Sequence, residues 1–139
     1  MGFRLTKKNK YHAVKETVDG IRFDSRAEAQ RYRQLKMLQQ AGVSIGLACH
    51  PRFELIPGAV LDGIKEQGIY YTADFSYVEP GGGIVVEDVK GVTTRDYLLR
   101  RKMMLLIRGI EVREIDANTL KERVWRKKKK HTRSGYSII

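Results

Sequence analysis

The sequence holds a single cysteine, Cys49, and its longer apolar runs, such as the five residues from Met103 to Ile107, are short. One cysteine excludes an internal disulfide, so a reducing, cytoplasmic setting is expected and the fold must rest on a hydrophobic core. A membrane-spanning helix takes about 20 apolar residues, so none is expected here. Met1 to Lys10 carries charge with no apolar stretch behind it, and no secretory leader is expected. His12, Cys49, His50 and His131 are too few and too scattered for a zinc motif. Cys49 beside His50 does not suggest a nucleophile pair, because adjacent residues on a strand point to opposite faces. Gly81 to Gly83 is not followed by Gly-Lys-Ser/Thr and a helix, which excludes a phosphate loop. No internal repeat or long linker divides the 139 residues, and a chain of that length buries roughly 68–70% of its unfolded surface, enough for one domain with a real core.

What the chain does hold in excess is positive charge, 27 Lys and Arg against 16 Asp and Glu. The surplus sits at the ends. Residues 1–15 carry five cations and no acid, a basic N-terminal arm, and residues 121–139 carry eight cations and one acid, a basic C-terminal tail. Residues 16–120 carry 14 cations and 15 acids, a near-neutral domain. Basic arms on a neutral body suit a polyanion, because each neutralised phosphate releases counterions. A solubilising tail would have the same composition. Membrane-surface binding is less attractive, since no amphipathic apolar face accompanies Lys127, Lys128, Lys129 and Lys130. Nucleic acid is therefore the leading partner class.

Periodicity predicts the elements. Asp19-Gly20 between His12–Val18 and Ile21–Phe23 predicts a tight hairpin. A helix is expected from about Ser25 to Ala41, with Tyr32, Leu35, Leu38 and Ala41 as its apolar stripe and Gly42 as its stop. Strands are expected at Pro51–Ile56, Ile69–Val78 and Ile84–Lys90, with a polar excursion from Pro57 to Gly68. In the second strand Tyr71, Ala73, Phe75 and Tyr77 form one face. A second helix over Thr94–Arg108, a strand over Ile110–Ile115 and a last helix from Asn118 to about Arg126 complete the order. The fold class is α/β, a central mixed sheet flanked by helices.

Four residues gain interest from this placement. Asp88 and Lys90 are two apart on a strand and leave the same face, either as a satisfied ion pair or as part of a site. Asp74 lies on the preceding strand, and antiparallel pairing across the Pro80–Gly83 turn would bring it to Asp88. Two close carboxylates repel unless a cation lies between them, and Mg²⁺ takes such oxygen ligands. A solvated face shared with Thr72 and Ser76 is the plain alternative for Asp74. Glu28 fits the capping box Ser25-Arg26-Ala27-Glu28, and it also shares the helix face that meets the sheet. Both roles are open.

The ordered set of Ser25-Arg-Ala-Glu28-Ala, Thr72-Ala-Asp74-Phe and Val86-Glu-Asp88-Val-Lys90-Gly resembles the PD-(D/E)XK nuclease superfamily, and within it the small phage-encoded endonuclease or Holliday junction resolvase-like proteins. The likeness spans roughly Thr17 to Ile115. Ala73 stands where the motif carries Pro, and His50-Pro51 where the nearest relatives carry Gln-Pro. The resemblance implies a restriction-endonuclease-like core and a metal-dependent endonuclease acting on double-stranded or branched DNA. It further implies that Asp74, Asp88, Glu28 and the Val89 carbonyl hold Mg²⁺, with Mn²⁺ as a substitute, and that Lys90 orients the attacking water. Arg100, Arg101 and Lys102 on the second helix, with Lys127 to Lys130, are the candidate DNA-backbone contacts. A symmetric junction would call for a homodimer, and a phage-encoded protein would work in the host cytoplasm. Two rivals fit the same sequence: a non-catalytic nucleic-acid-binding protein, and an inactive nuclease-fold subunit of a phage complex.

Overall fold

The computed structural model describes residues 13–124. Lys127 to Lys130 and the first twelve residues lie outside them. The chain is mixed α/β. Strands β1 (Glu16–Val18) and β2 (Ile21–Phe23) pair antiparallel, and Asp19 and Gly20 between them take φ values of 51° and 75°, as the dipeptide favours in such a turn. Helix α1 (Arg26–Gln40) begins at Ser25, whose Oγ accepts the Glu28 amide at 3.1 Å. It buries Ala29, Tyr32 and Leu35, while Leu38 and Ala41 are exposed. The buried stripe is thus shifted one turn toward the N-terminus from the expected one.

The next part of the chain departs from expectation. Strands β3 (Ile45–Cys49) and β4 (Arg52–Ile56) run back against β7 (Ile69–Thr72) and β8 (Phe75–Val78), with the small hairpin β5 (Ala59–Leu61) and β6 (Ile64–Glu66) at the far end. The continuous strand expected over Ile69–Val78 is interrupted at Ala73-Asp74, opposite His50-Pro51. Register is kept across the interruption, with Cys49 opposite Phe75 and Arg52 opposite Thr72. Two backbone bonds bridge it, His50 N–H to the Asp74 carbonyl at 2.8 Å and Ala73 N–H to the Pro51 carbonyl at 3.0 Å. The structure is therefore one long antiparallel ribbon, bent in the middle. Neither β3 nor the β5–β6 hairpin was expected. The hairpin had a signal, because Asp62-Gly63 repeats the Asp19-Gly20 dipeptide and takes the same positive φ values, 50° and 76°.

After the turn at Gly81–Gly83 come β9 (Ile84–Lys90), α2 (Arg95–Arg108) and β10 (Arg113–Asp116). The central sheet has the order β10-β9-β8-β3, with β10 parallel to β9 and the other pairs antiparallel. A parallel pair needs a crossover, which α2 supplies before ending at Gly109 with φ 68°. The sheet separates two cores. Ala29, Tyr32 and Leu35 of α1 pack with Phe23, Phe75, Tyr77, Val85, Val89 and Ile115. Tyr97 and Met104 of α2 pack with Leu55, Tyr71, Ala73, Val86 and Val112. Tyr71 and Ala73 thus join a different core from Phe75 and Tyr77, although one face was expected for all four. The bend redirects the ribbon, so its β3–β8 half lies in the sheet and its β4–β7 half covers α2.

No helix forms from Asn118 through Val124. The Asp116 carboxylate accepts the amides of Asn118 and Thr119 at 2.9 and 3.1 Å, a local turn that competes with helix, and Ile115 bridges to Glu122. Arg123 docks back on the Asp116 carboxylate at 2.9 Å, so this stretch packs on the body. No described helix is long and apolar enough to cross a membrane.

Glu87 in the middle of β9 is fully buried, and a lone carboxylate there would be costly. Arg31 of α1 meets it with two bonds, at 2.6 and 2.9 Å, and the Tyr77 hydroxyl adds a third at 2.9 Å. The carboxylate pushes the Tyr77 phenol up to about 12, after the larger effect of burial. Arg31→Ala should cost roughly 3–5 kcal/mol in urea unfolding, because it strands a buried charge. Arg33→Ala, which opens the half-exposed pair with Glu16, should cost less than about 1 kcal/mol. Equal losses from the two variants would remove Glu87 as the anchor of α1 on the sheet.

Candidate metal centre

The sequence-predicted acids converge at the bend. Continuing the β8–β9 register from Phe75 opposite Glu87 sets Asp74 opposite Asp88. Opposed like charges destabilise a strand pair, so this arrangement has to be held in place. Asp74 is tied by its backbone and its side chain. Its amide donates to the Glu87 carbonyl at 3.2 Å, its carbonyl accepts from His50, and its Oδ2 accepts the Val89 amide at 2.7 Å. Val89 therefore meets Asp74 through its N–H.

Burial holds the Asp74 carboxyl well above the usual carboxylate range, and the charges of Asp88 and then Glu28 push it further up. The Val89 amide pulls the other way. Glu28 is also raised, chiefly by burial. Its place at the helix start is seen in the structure: its amide is held by Ser25, and its Oε2 accepts the amide of Asp24, the residue before the cap, at 3.1 Å. The same carboxylate lies with Asp74 in a group whose third member is His50, the three ligand atoms being within 4.8 Å of one another. In the sequence His50 stands out only as the departure from Gln-Pro, because the histidines and cysteine by themselves make no metal motif. Its distance in sequence from both acids, 22 and 24 residues, leaves only the bend to bring it in.

Asp88 lies beside this group in a different setting. Its Oδ2 accepts the Tyr71 hydroxyl, and Lys90 Nζ stands 3.5 Å away. The Lys90 ammonium also sits 4.4 Å from the centroid of the Tyr97 ring, a cation–π contact. Tyr71 and Tyr97 carried no signal in the sequence beyond apolar patterning. Burial and the Asp88 charge raise the Tyr71 phenol far out of its ordinary range, so it stays a donor.

The α2 cations divide. Arg101 bonds the Val112 carbonyl twice at 3.1 Å and pairs with buried Glu114 at 3.3 Å. Arg100 pairs with Asp96 at 2.9 Å and bonds the Tyr70 carbonyl. Both guanidinium groups fasten α2 to the body, and Lys102 is the exposed one of the three. A groove of about 640 Å³ beside α2, lined by Leu98, Lys102, Leu105 and Val124 among others, contains none of Glu28, His50, Asp74, Asp88 or Lys90.

A family described as a protein of unknown function, DUF1064, matches residues 8–131. The chain belongs to the DUF1064 family. No curated protein and no solved structure matches it. The functional reading of this DUF1064 chain therefore rests on its own residues.

Two carboxyls and an imidazole around one point, both carboxyls raised by burial and like charge and with Asp88 alongside, are a donor set that could hold a divalent cation. The metal-free state keeps the repulsion, with a definite pH signature. An acid whose pKa is higher folded than unfolded takes stability away as pH climbs from the ordinary carboxylate range through the raised value. Asp74→Asn retains an oxygen for the Val89 amide and removes the charge. In metal-free buffer it should melt several degrees above wild type near about pH 8, with the gain fading toward about pH 4. A variant that melts lower at the alkaline end would show the Asp74 charge to be stabilising.

Proposed function

We propose that the chain is a divalent-metal-dependent endodeoxyribonuclease of the PD-(D/E)XK type, built on a restriction-endonuclease-like core. It hydrolyses phosphodiester bonds, with branched DNA or Holliday junctions in phage replication or recombination as its substrate class. The observation that carries this reading is the convergence of Asp74, Asp88 and Glu28 at one end of the sheet, with Lys90 on the same face as Asp88.

Asp74, Asp88 and Glu28, with the Val89 carbonyl, would hold Mg²⁺ or Mn²⁺. The ion supplies a Lewis acid against the charge that develops on the scissile phosphate. Lys90, steadied by Asp88 and the Tyr97 ring, presents an ammonium to the attacking water and to the anionic transition state. Tyr71 and Lys90 both meet Asp88 at Oδ2, which leaves its second oxygen for the site. Because Arg100 and Arg101 are engaged within the fold, phosphate contacts fall to Lys102 and to the basic run Lys127–Lys130. Such contacts give affinity without base readout, so DNA shape is the basis of selection. A symmetric junction is cut by two sites, which makes a homodimer the working form.

Labelled linear, nicked, flapped and four-way DNAs, incubated with the full chain and Mg²⁺ or Mn²⁺, test the reading directly. Wild type should cut the branched substrates. Asp74→Ala should lower cutting by a factor of about 10³ or more, while DNA affinity stays equal or rises because a repelling carboxylate is gone. Intact DNA throughout, with tight binding that is lost when residues 121–139 are deleted, would favour a non-catalytic DNA-binding protein.

A further inference from the structure

We infer that His50 is a nitrogen ligand of the ion held by Glu28 and Asp74, and that the site accordingly selects a first-row transition ion of the Mn²⁺ class over Mg²⁺. The inference rests on the proposed nuclease reading only in taking the acids to bind a divalent cation, and it deepens that reading by naming the ion.

Three separate elements deliver the ligands: the first turn of α1, the junction of β3 and β4, and the junction of β7 and β8. Their ligand atoms lie within 4.8 Å of one another. Atoms bound at about 2.0–2.2 Å to one ion are at most about 4.4 Å apart, so rotations of a few tenths of an ångström close the set. His50 is fixed independently of any metal. Its backbone is tied to Asp74 at 2.8 Å, and its ring packs 5.7 Å from the Phe23 ring centroid. The residue takes φ 53°, a left-handed conformation that costs a non-glycine residue energy and that the bend imposes.

The chemistry of the donors sets the preference. Mg²⁺ takes oxygen ligands and keeps several waters, whereas imidazole nitrogen binds increasingly well along the series from Mn²⁺ to Cu²⁺. Two carboxylates alone would accept either ion. Adding one imidazole favours the transition metal.

The test needs neither DNA nor cleavage. Calorimetric titration of the full chain should show Mn²⁺ binding at least about tenfold more tightly than Mg²⁺. His50→Asn removes the imidazole and places a residue that tolerates positive φ. It should weaken Mn²⁺ by about 10- to 100-fold while changing Mg²⁺ by less than about threefold. Glu28→Gln should weaken both ions. Electron spin-echo spectra of the wild-type Mn²⁺ complex should carry a directly bound imidazole nitrogen, a readout that does not depend on any variant folding. Equal Mn²⁺ and Mg²⁺ affinity, an unchanged Mn²⁺ affinity in His50→Asn, or no nitrogen coupling in wild type overturns the inference. Nitrogen-coupled Mn²⁺ in a protein that cuts no DNA would instead sink the nuclease reading and leave this one standing.

Discussion

The antiparallel ribbon formed by residues 45–56 and 69–78 is held through its bend by two backbone bonds, from the His50 amide to the Asp74 carbonyl and from the Ala73 amide to the Pro51 carbonyl. Pro51 has no N–H to offer, so the ladder can continue there only through its carbonyl, and the Ala73 amide takes that acceptor. The bend sends one half of the ribbon into the sheet beneath α1 and the other over α2. It also leaves Asp74 between strands, where its side chain captures the Val89 amide. Remove the bend and Asp74 becomes an ordinary strand residue, His50 leaves the acids, and α2 loses Tyr71 and Leu55 from its core.

A second pattern runs across the sheet. Glu87, Asp88 and Glu114 are all buried, and each accepts a tyrosine hydroxyl: Tyr77, Tyr71 and Tyr97 respectively. Each also has a basic partner, in the same order Arg31, Lys90 and Arg101. The Arg31 pair is short and doubly bonded, and Arg101 adds bonds to a backbone carbonyl. The Lys90 pair, at 3.5 Å, is the loosest of the three and lies next to the acids of the bend. Glu87 and Glu114, the buried carboxylates that serve the fold, are thus closely matched. Asp74, by contrast, has the carboxylates of Asp88 and Glu28 as neighbours, with the Val89 amide bonded to its Oδ2.

Much of the fold was legible. The Asp19-Gly20 turn, the extent of both helices and the seven residues of β9 follow from turn chemistry and apolar periodicity, which act over a few residues. The misses share a cause. Ile69–Val78 alternates as one strand should, and nothing local marks a break at Ala73, because the break is imposed by pairing with His50-Pro51. The short β3 strand, Ile45–Cys49, carries Gly46 and an irregular pairing, and so lacks a clean pattern. Arg100 and Arg101 read like a phosphate-binding face, since a sequence shows charge without showing the carbonyls and carboxylates that engage it.

By itself the sequence determined the element types, the division of charge between a near-neutral body and basic ends, and the three acids worth watching, because propensity, composition and two-residue alternation are local properties. Tertiary structure alone decided that two arginines of α2 are structural and that His50 joins Glu28 and Asp74. Those facts depend on contacts between elements that the chain brings together only on folding, such as the His50–Asp74 pairing across 24 residues, and they are settled by the whole fold.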